Sequence, residues 1–323
     1  MSALVRNLVT GGAGFLGSHL VDRLMHSGEK VICLDNFSTG RKKNVLHWIS
    51  HPRFQLINHD VIEPVQLEAD RIWHLACPAS PMIYQRKPIE TSKINFLGTF
   101  NMLGLAKRLK AKFLLASSSE VYGDPEVHPQ PETYRGCVNN TGVRSCYDEG
   151  KRIAESLCYD YYRMHKLDIR IARIFNTYGP RMLLEDGRVL SNFIVQALSN
   201  KSLTIYGNGK QTRSFCYVDD LMDGLVGLMN SNYSNPINLG NTRSLTIHML
   251  SQLVRSKINE NLEVVYTALP QDDPRQRQPL IALAKNELDW EPKVSLEIGL
   301  DKTIRYFRDE IDSSEGFSCF ELS

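Results

Sequence analysis

The chain has 323 residues, of which 42% are apolar and 23% charged, the balance of an ordinary globular protein with one large domain and a smaller attachment. Its net charge of +2 gives no overall pull toward nucleic acid or a membrane surface, and no apolar stretch approaches the roughly 20 residues that span a bilayer. The seven cysteines are odd in number and lack C-x-x-C spacing, which argues against a disulfide framework or a bound metal and predicts reduced thiols in the cytoplasm.

A strand-like run, Leu4 to Thr10, begins within a few residues of Met1, so no signal peptide is expected. The sequons at Asn139, Asn200 and Asn232 are then read as chance matches. The run leads into Gly11-Gly12-Ala13-Gly14-Phe15-Leu16-Gly17, and from Phe15 the apolar residues Leu16, Leu20, Val21 and Leu24 fall at helical spacing. Val31 to Leu34 is a second buried strand, closed by Asp35. Further strands follow near Phe54 to Ile57 and Ile72 to Leu75, then a long helix from about Pro88 to Lys110. Phe113-Leu114-Leu115-Ala116 reads as a buried strand that ends in Ser117-Ser118-Ser119-Glu120, and a helix carrying Tyr147 precedes a strand from Ile169 to Ile174. Strand and helix alternate throughout, which predicts an α/β fold with a Rossmann-type doubly wound parallel sheet covered on both faces.

The rhythm breaks after Asn176. Short strands (Leu203 to Tyr206, Leu262 to Tyr266) mix with short helices (Val189 to Leu198, Ile247 to Ile258), and Phe215 to Val218 and Pro236 to Leu239 look like returns to the main sheet. The division expected is a dinucleotide-binding domain over residues 1–176, rejoined by 217–240. A smaller, discontinuous α/β substrate domain takes 177–216 and 241–315, and a tail 316–323. Its cleft should open over the strand ends.

Gly11, Gly14 and Gly17 lie between a strand and a helix, where glycines permit the turn, the approach of a pyrophosphate and close helix packing. Asp35 ends the next strand, about 20 residues on, where a carboxylate accepts hydrogen bonds from a ribose diol. That carboxylate repels a 2′-phosphate and so favours NAD over NADP, while Arg41, Lys42 and Lys43 read as a solvated helix cap. Phe15, Leu16, Asn36, Phe37, Thr39 and Gly40 are assigned with these residues to the cofactor. Asp60 and Val61 suit the adenine edge, and Leu75 the nicotinamide side.

Tyr-x-x-x-Lys occurs three times, at Tyr147/Lys151, Tyr162/Lys166 and Tyr206/Lys210, so the motif alone selects nothing. Tyr206 precedes the turn residues Gly207-Asn208-Gly209, and Tyr162 lies near a helix end. Only Tyr147 follows a serine-bearing strand end. On a helix Tyr147 and Lys151 share one face, and an ammonium beside a phenol favours the phenolate.

These residues, together with Tyr217-Val218-Asp219-Asp220, resemble the extended short-chain dehydrogenase/reductases over essentially the whole chain. The resemblance implies that Ser118 positions a substrate oxygen, Tyr147 moves its proton, and Lys151 holds the ribose and lowers the tyrosine pKa. Sugar-nucleotide 4,6-dehydratases of that family carry Asp-Glu where this chain has Ser119-Glu120, and its epimerases usually lack the glutamate. Ser119-Glu120, His74 to Pro81, Arg144 to Lys151 and Gly209 to Phe215 are similar instead to the UDP-glucuronate decarboxylase (UDP-xylose synthase) branch. The small departures are Cys77 where serine is common, Ser118 where threonine is common, and Leu280 where an aspartate often follows the proline.

That resemblance implies decarboxylation of UDP-glucuronate to UDP-xylose and CO2 through a UDP-4-keto sugar, with NAD recycled. Glu120 and Arg213 are expected to handle C5 and the carboxylate, and Ser119 to select decarboxylation over dehydration. Asn176, Arg181, Arg188, Tyr206, Arg213 and Arg277 are expected at the nucleotide sugar, with Lys93, Asn101 and Arg108 reaching it from the long helix. Family members pair the helix Ile89 to Leu109 and the Tyr147 helix across a two-fold axis, so a homodimer is expected, with no nucleic acid or membrane as partner. The alternatives are a UDP-sugar 4-epimerase, a UDP-apiose/xylose synthase, or a non-catalytic NAD-binding scaffold.

Overall fold

The computed structural model describes residues 4–269 and 276–318. The first half runs β1 (Arg6–Thr10), α1 (Phe15–His26), β2 (Lys30–Asp35), β3 (Phe54–Asn58), β4 (Arg71–His74), α2 (Pro81–Arg86), α3 (Pro88–Lys93), α4 (Thr99–Leu109), β5 (Lys112–Ser118), α5 (Ser145–His165) and β6 (Ile169–Ile174). Then follow β7 (Thr177–Tyr178), α6 (Val189–Leu198), β8 (Leu203–Tyr206), β9 (Thr212–Ser214), β10 (Cys216–Tyr217), α7 (Val218–Asn230), β11 (Pro236–Leu239) and β12 (Ser244–Thr246). The chain closes with α8 (Ile247–Ile258), β13 (Val264–Thr267), β14 (Gln276–Arg277), α9 (Ala282–Leu288) and α10 (Leu296–Ser318).

A seven-stranded parallel sheet in the order β11-β6-β5-β4-β1-β2-β3 is the backbone of the fold. Its central strands are buried on both faces, as near-continuous apolar runs such as Phe113-Leu114-Leu115 require, while the edge strand β3 is partly exposed. One apolar cluster gathers residues of α1, α6, α7 and α10. The other joins α4 and α5 to the opposite face. Strand order reverses between β1 and β4, and crevices at such switch points, beyond the carboxyl ends of the strands, are where α/β sheets bind ligands.

The long helix expected from Pro88 is helical to Leu109 but widens into a π turn at Ile94–Gly98 between α3 and α4. There the Asn95 side chain lies against α5, and a Cβ at Gly150 would stand 2.6 Å from Asn95 Nδ2. Gly150, between Tyr147 and Lys151, therefore lets α5 approach closely.

Pro236–Leu239 pairs with β6 in the main sheet. Phe215 to Val218 does not return there. Cys216–Tyr217 pairs with Thr177–Tyr178 in a separate two-stranded sheet, because β11 already occupies the edge of β6. The other short strands form β12-β9-β14 and β13-β8, and Arg277 of β14 registers beside Arg213 of β9. The tail set at 316–323 overlaps the last turn of α10, and residues 319–323 lie outside those described.

Candidate active site

A cavity of about 460 Å3 runs from the β1–α1 turn to the β12-β9-β14 sheet. Gly11, Gly14, Phe15, Leu16, Gly17, Asp35, Asn36, Thr39, Asp60, Val61 and Leu75 line it at one end. The turn is closed on one side and open on the other. A Cβ at Gly17 would stand 2.0 Å from Gly11 O, whereas one at Gly14 would meet nothing within 4 Å but Gly11 O, at 3.2 Å. A pyrophosphate fits that open side, against the N-terminus of α1. Asp35 is buried, accepts hydrogen bonds from Ala13 N (2.9 Å) and Phe37 N (2.8 Å), and stays near the cavity with lone pairs for a diol.

Phe37 and Gly40 do not line the cavity. Gly40 packs against the Asp35 carboxylate, and the Phe37 ring, on a residue at φ 58°, lies under Lys42 Nζ at 5.1 Å. Arg41 and Lys43 both pair with Glu310 of α10, which holds them away from a ribose phosphate.

At the middle of the cavity β5 delivers its hydroxyls. Ser118 closes the strand, and its Oγ accepts from Glu120 N at 3.2 Å, capping the short turn Ser119–Tyr122. Tyr147 and Lys151 rise from the first turns of α5, both buried. Lys151 Nζ donates to Ala116 O at 3.0 Å and stands 5.7 Å from the centre of the Tyr147 ring. Burial pushes the Tyr147 hydroxyl above the usual phenol range, the Cys77 thiol adds to this, and the Ser118 hydrogen bond opposes it. The net shift is upward, against the lowering expected from Lys151.

Glu120 is held between two arginines. Arg144 Nη2 lies 2.8 Å from Glu120 Oε2, and Arg277 Nη1 pairs with Glu120 Oε1. Burial alone would raise its pKa, but the charges of Arg144 and Arg277 beside it win, holding the carboxyl down at about 2. Asp148, whose Oδ2 is 3.9 Å from Arg144 Nε, goes the other way: burial and the Glu120 charge raise it to about 8. Sequence reasoning missed Arg144, Asp148 and Tyr84 as members of this cluster, although Arg144 opens one of the stretches that carry the resemblance.

The nucleotide-sugar residues fare unevenly. Asn176, Arg188, Tyr206 and Arg213 line the cavity. Arg188 is partly committed, donating to Ala79 O (3.2 Å) and pairing with Asp186 (3.2 Å). Arg277 also lines it but is buried, with Ser119 Oγ at 3.3 Å and Gly123 O at 2.8 Å as further acceptors, so it supports Glu120 where a diphosphate donor was expected. Arg181 also lines the cavity, and it pairs with Asp22 of α1 at 2.6 Å. Lys93 is exposed and outside the cavity. Asn101 and Arg108, on the same helical path, bind the carbonyls of Val61, Ile62 and Leu67, because that face of the helix meets the chain after β3.

A parallel sheet with a glycine cradle at its switch point and a Ser118–Tyr147–Lys151 set beside it defines a dinucleotide-dependent enzyme class that works on a carbinol centre. The chain belongs to the NAD dependent epimerase/dehydratase family, whose model matches residues 7–240. It is 58% identical over 307 residues to UDP-glucuronic acid decarboxylase 1 of Xenopus tropicalis, covering 95% of this chain and 73% of that protein. It is 57% identical to UDP-glucuronic acid decarboxylase 3 of Arabidopsis thaliana, covering 94% and 89%. Among solved structures it is similar to the UDP-glucuronic acid 4-epimerase of Bacillus cereus in complex with UDP-glucuronic acid and NAD (TM-score 0.86, 28% identity, 94% and 99% covered). The UDP-glucose 4-epimerase of Thermotoga maritima with UDP-glucose gives a TM-score of 0.87 at 30% identity, covering 95% and 99%.

Proposed function

We propose that this protein decarboxylates UDP-glucuronate to UDP-xylose and CO2 with recycled NAD. The observation that carries the reading is Glu120 held ionised by Arg144 and Arg277 in the same cavity as Ser118 and Tyr147. Gly11, Gly14, Asp35, Asp60 and Lys151 are the residues that would hold NAD. Bound NAD supplies the acceptor that makes C4 a ketone and afterwards the donor that restores the alcohol.

The chain's own groups handle protons and charge. Tyr147 takes the C4 hydroxyl proton, and Ser118 keeps that oxygen in place. Once C4 is a ketone, the C5–carboxylate bond breaks as in any β-keto acid: its electron pair enters an enolate and CO2 leaves. Ser118 and Tyr147 then hydrogen-bond the oxygen on which charge develops. C5 takes up one proton, delivered on the side of Glu120 and Arg213. Asn176, Arg188, Tyr206 and Arg213 are assigned to the nucleotide sugar.

The two-domain division fits this role, with residues 1–176 and 217–240 for NAD and 177–216 and 241–315 for the sugar nucleotide. A homodimer is proposed through the face formed by α3, α4 and α5. Ile89, Phe96, Phe100 and Ile153 expose 40% or more of their surface there, an apolar set that a second copy would cover. Among the described residues the cysteines are free thiols and no helix is long and apolar enough to cross a membrane; the cytoplasm is proposed as the location.

The test is incubation with UDP-glucuronate and NAD, with products read by mass spectrometry. Equal amounts of UDP-xylose and CO2 without net NADH are expected. A product of unchanged mass epimerised at C4 would overturn the reading.

A further inference from the structure

Glu120 and Tyr147 belong to different elements and different steps, yet one side chain reaches toward both. Arg144, at the boundary of α5 and 9% exposed, pairs with Glu120 and sets its guanidinium 5.8 Å from the centre of the Tyr84 ring. Tyr84, from α2, stacks on Tyr147 with ring centres 5.1 Å apart and planes inclined by 10°. The Tyr84 hydroxyl is buried with no hydrogen-bond partner among the described residues, so its ring, and not its oxygen, makes the contacts.

We propose that Arg144 is a positioning residue: it fixes Glu120 directly and Tyr147 through the Tyr84 ring, keeping the decarboxylating and oxidising halves of the site in one register. The inference rests on the decarboxylase reading above. A guanidinium suits both tasks, because it can hold an ion pair at 2.8 Å on one side and lie over an aromatic ring on the other. A purely structural purpose is a poor account, since a buried ion pair adds little stability over apolar packing. The groups around Glu120 are Arg144 at the N-terminal boundary of α5, Asp148 and Tyr147 of α5, Arg277 of β14 and Tyr84 of α2. Asp148 stands farther from Arg144, at 3.9 Å against 2.8 Å for Glu120, and burial with the Glu120 charge raises its carboxyl, so Glu120 is the main partner of Arg144.

The test compares Arg144→Met, Arg144→Lys, Tyr84→Leu and Tyr84→Phe with the unaltered protein. Arg144→Met is expected to lose about 10²-fold in kcat, the scale of a small misplacement, with KM for UDP-glucuronate little changed. Glu120 then keeps only one of its two cations, so the acid limb of the kcat/KM profile should move to higher pH. Carboxyl carbon NMR of the NAD-bound protein reads the same titration without turnover. Tyr84→Leu should lower kcat and leave the acid limb in place, while Tyr84→Phe should match the unaltered protein. An unmoved Glu120 titration in Arg144→Met overturns the proposal, as does equal damage in Tyr84→Phe and Tyr84→Leu. Should Arg144→Met not fold, Arg144→Lys keeps the charge without the plane, and a full kcat in it overturns the proposal as well. Absence of CO2 from the unaltered protein would sink the decarboxylase reading alone, with the NMR arm still deciding the role of Arg144.

Discussion

Lys151 gives its ammonium hydrogen bond to the carbonyl of Ala116, 3.0 Å away, in the strand that ends at Ser118. This bond ties α5 to β5 and so sets Tyr147, one turn earlier, over the strand end. Burial meanwhile keeps the Tyr147 hydroxyl above the ordinary phenol range, and a base must be poised nearer the working pH. A positive nicotinamide ring would favour the phenolate by its charge. Saturating NAD is therefore expected to lower the Tyr147 titration, followed by ultraviolet difference spectra against Tyr147→Phe. Tyr147→Phe itself should lose about 10² to 10⁴-fold in kcat, and an unchanged titration on adding NAD would remove the cofactor from the activation of Tyr147.

Ser119 accepts from Arg277 at 3.3 Å and is buried next to Glu120. Ser119→Asp would place a second carboxylate on the same guanidinium and pull Arg277 away from Glu120. Decarboxylation of UDP-glucuronate is expected to fall by about 10²-fold, the size of losing one charge-stabilising contact. The rate of CO2 release measures it. A rate equal to that of the unaltered protein would make Ser119 a passive spacer.

Much of this was legible in the sequence because the relevant signals are local. The glycine spacing, Asp35 closing β2 and the serines closing β5 each follow from a strand ending where its apolar run ends. Tyr147 was separable from Tyr162 and Tyr206 by what precedes it. What the sequence hid is the destination of long cationic side chains. Arg277, Arg181 and Lys93 all have the chemistry for a diphosphate, yet one is buried on Glu120, one pairs with Asp22 and one points to solvent. The partners of Arg277 and Arg181 lie over a hundred residues away in the chain, and no periodicity encodes them. Arg144 was overlooked although Glu120 is only 24 residues before it, because the two meet only when β5 and α5 pack.

Beneath the site, Glu155 of α5 accepts from Ser117 Oγ at 2.6 Å and from Arg173 Nε and Nη2 at 3.0 and 2.7 Å. Arg173 also donates to Tyr122 Oη and Glu132 O. Removing one partner of such a pair leaves a buried charge unpaired, a cost of about 3–5 kcal/mol. Arg173→Met is thus expected to lower the unfolding midpoint by roughly 10 °C. Adding Glu155→Leu should recover part of it. Thermal unfolding of the single and double variants checks this, and equal midpoints for both would show that the pair is not coupled.

Asp148 gives the fold a pH dependence of definite sign. Burial first, and the Glu120 charge second, raise its carboxyl to about 8, above the value of about 3.9 for an unfolded aspartate. The folded protein therefore binds this proton more tightly than the unfolded chain. The stability it contributes is full below about pH 3.9 and is lost progressively as pH rises toward 8, beyond which both states are ionised and the loss is complete. An asparagine at this place cannot ionise. Asp148→Asn should match the unaltered protein near pH 4, exceed it in unfolding midpoint increasingly up to about pH 8, and keep a constant lead above that. A lead that is the same at every pH would place the Asp148 pKa at its ordinary value in the folded protein.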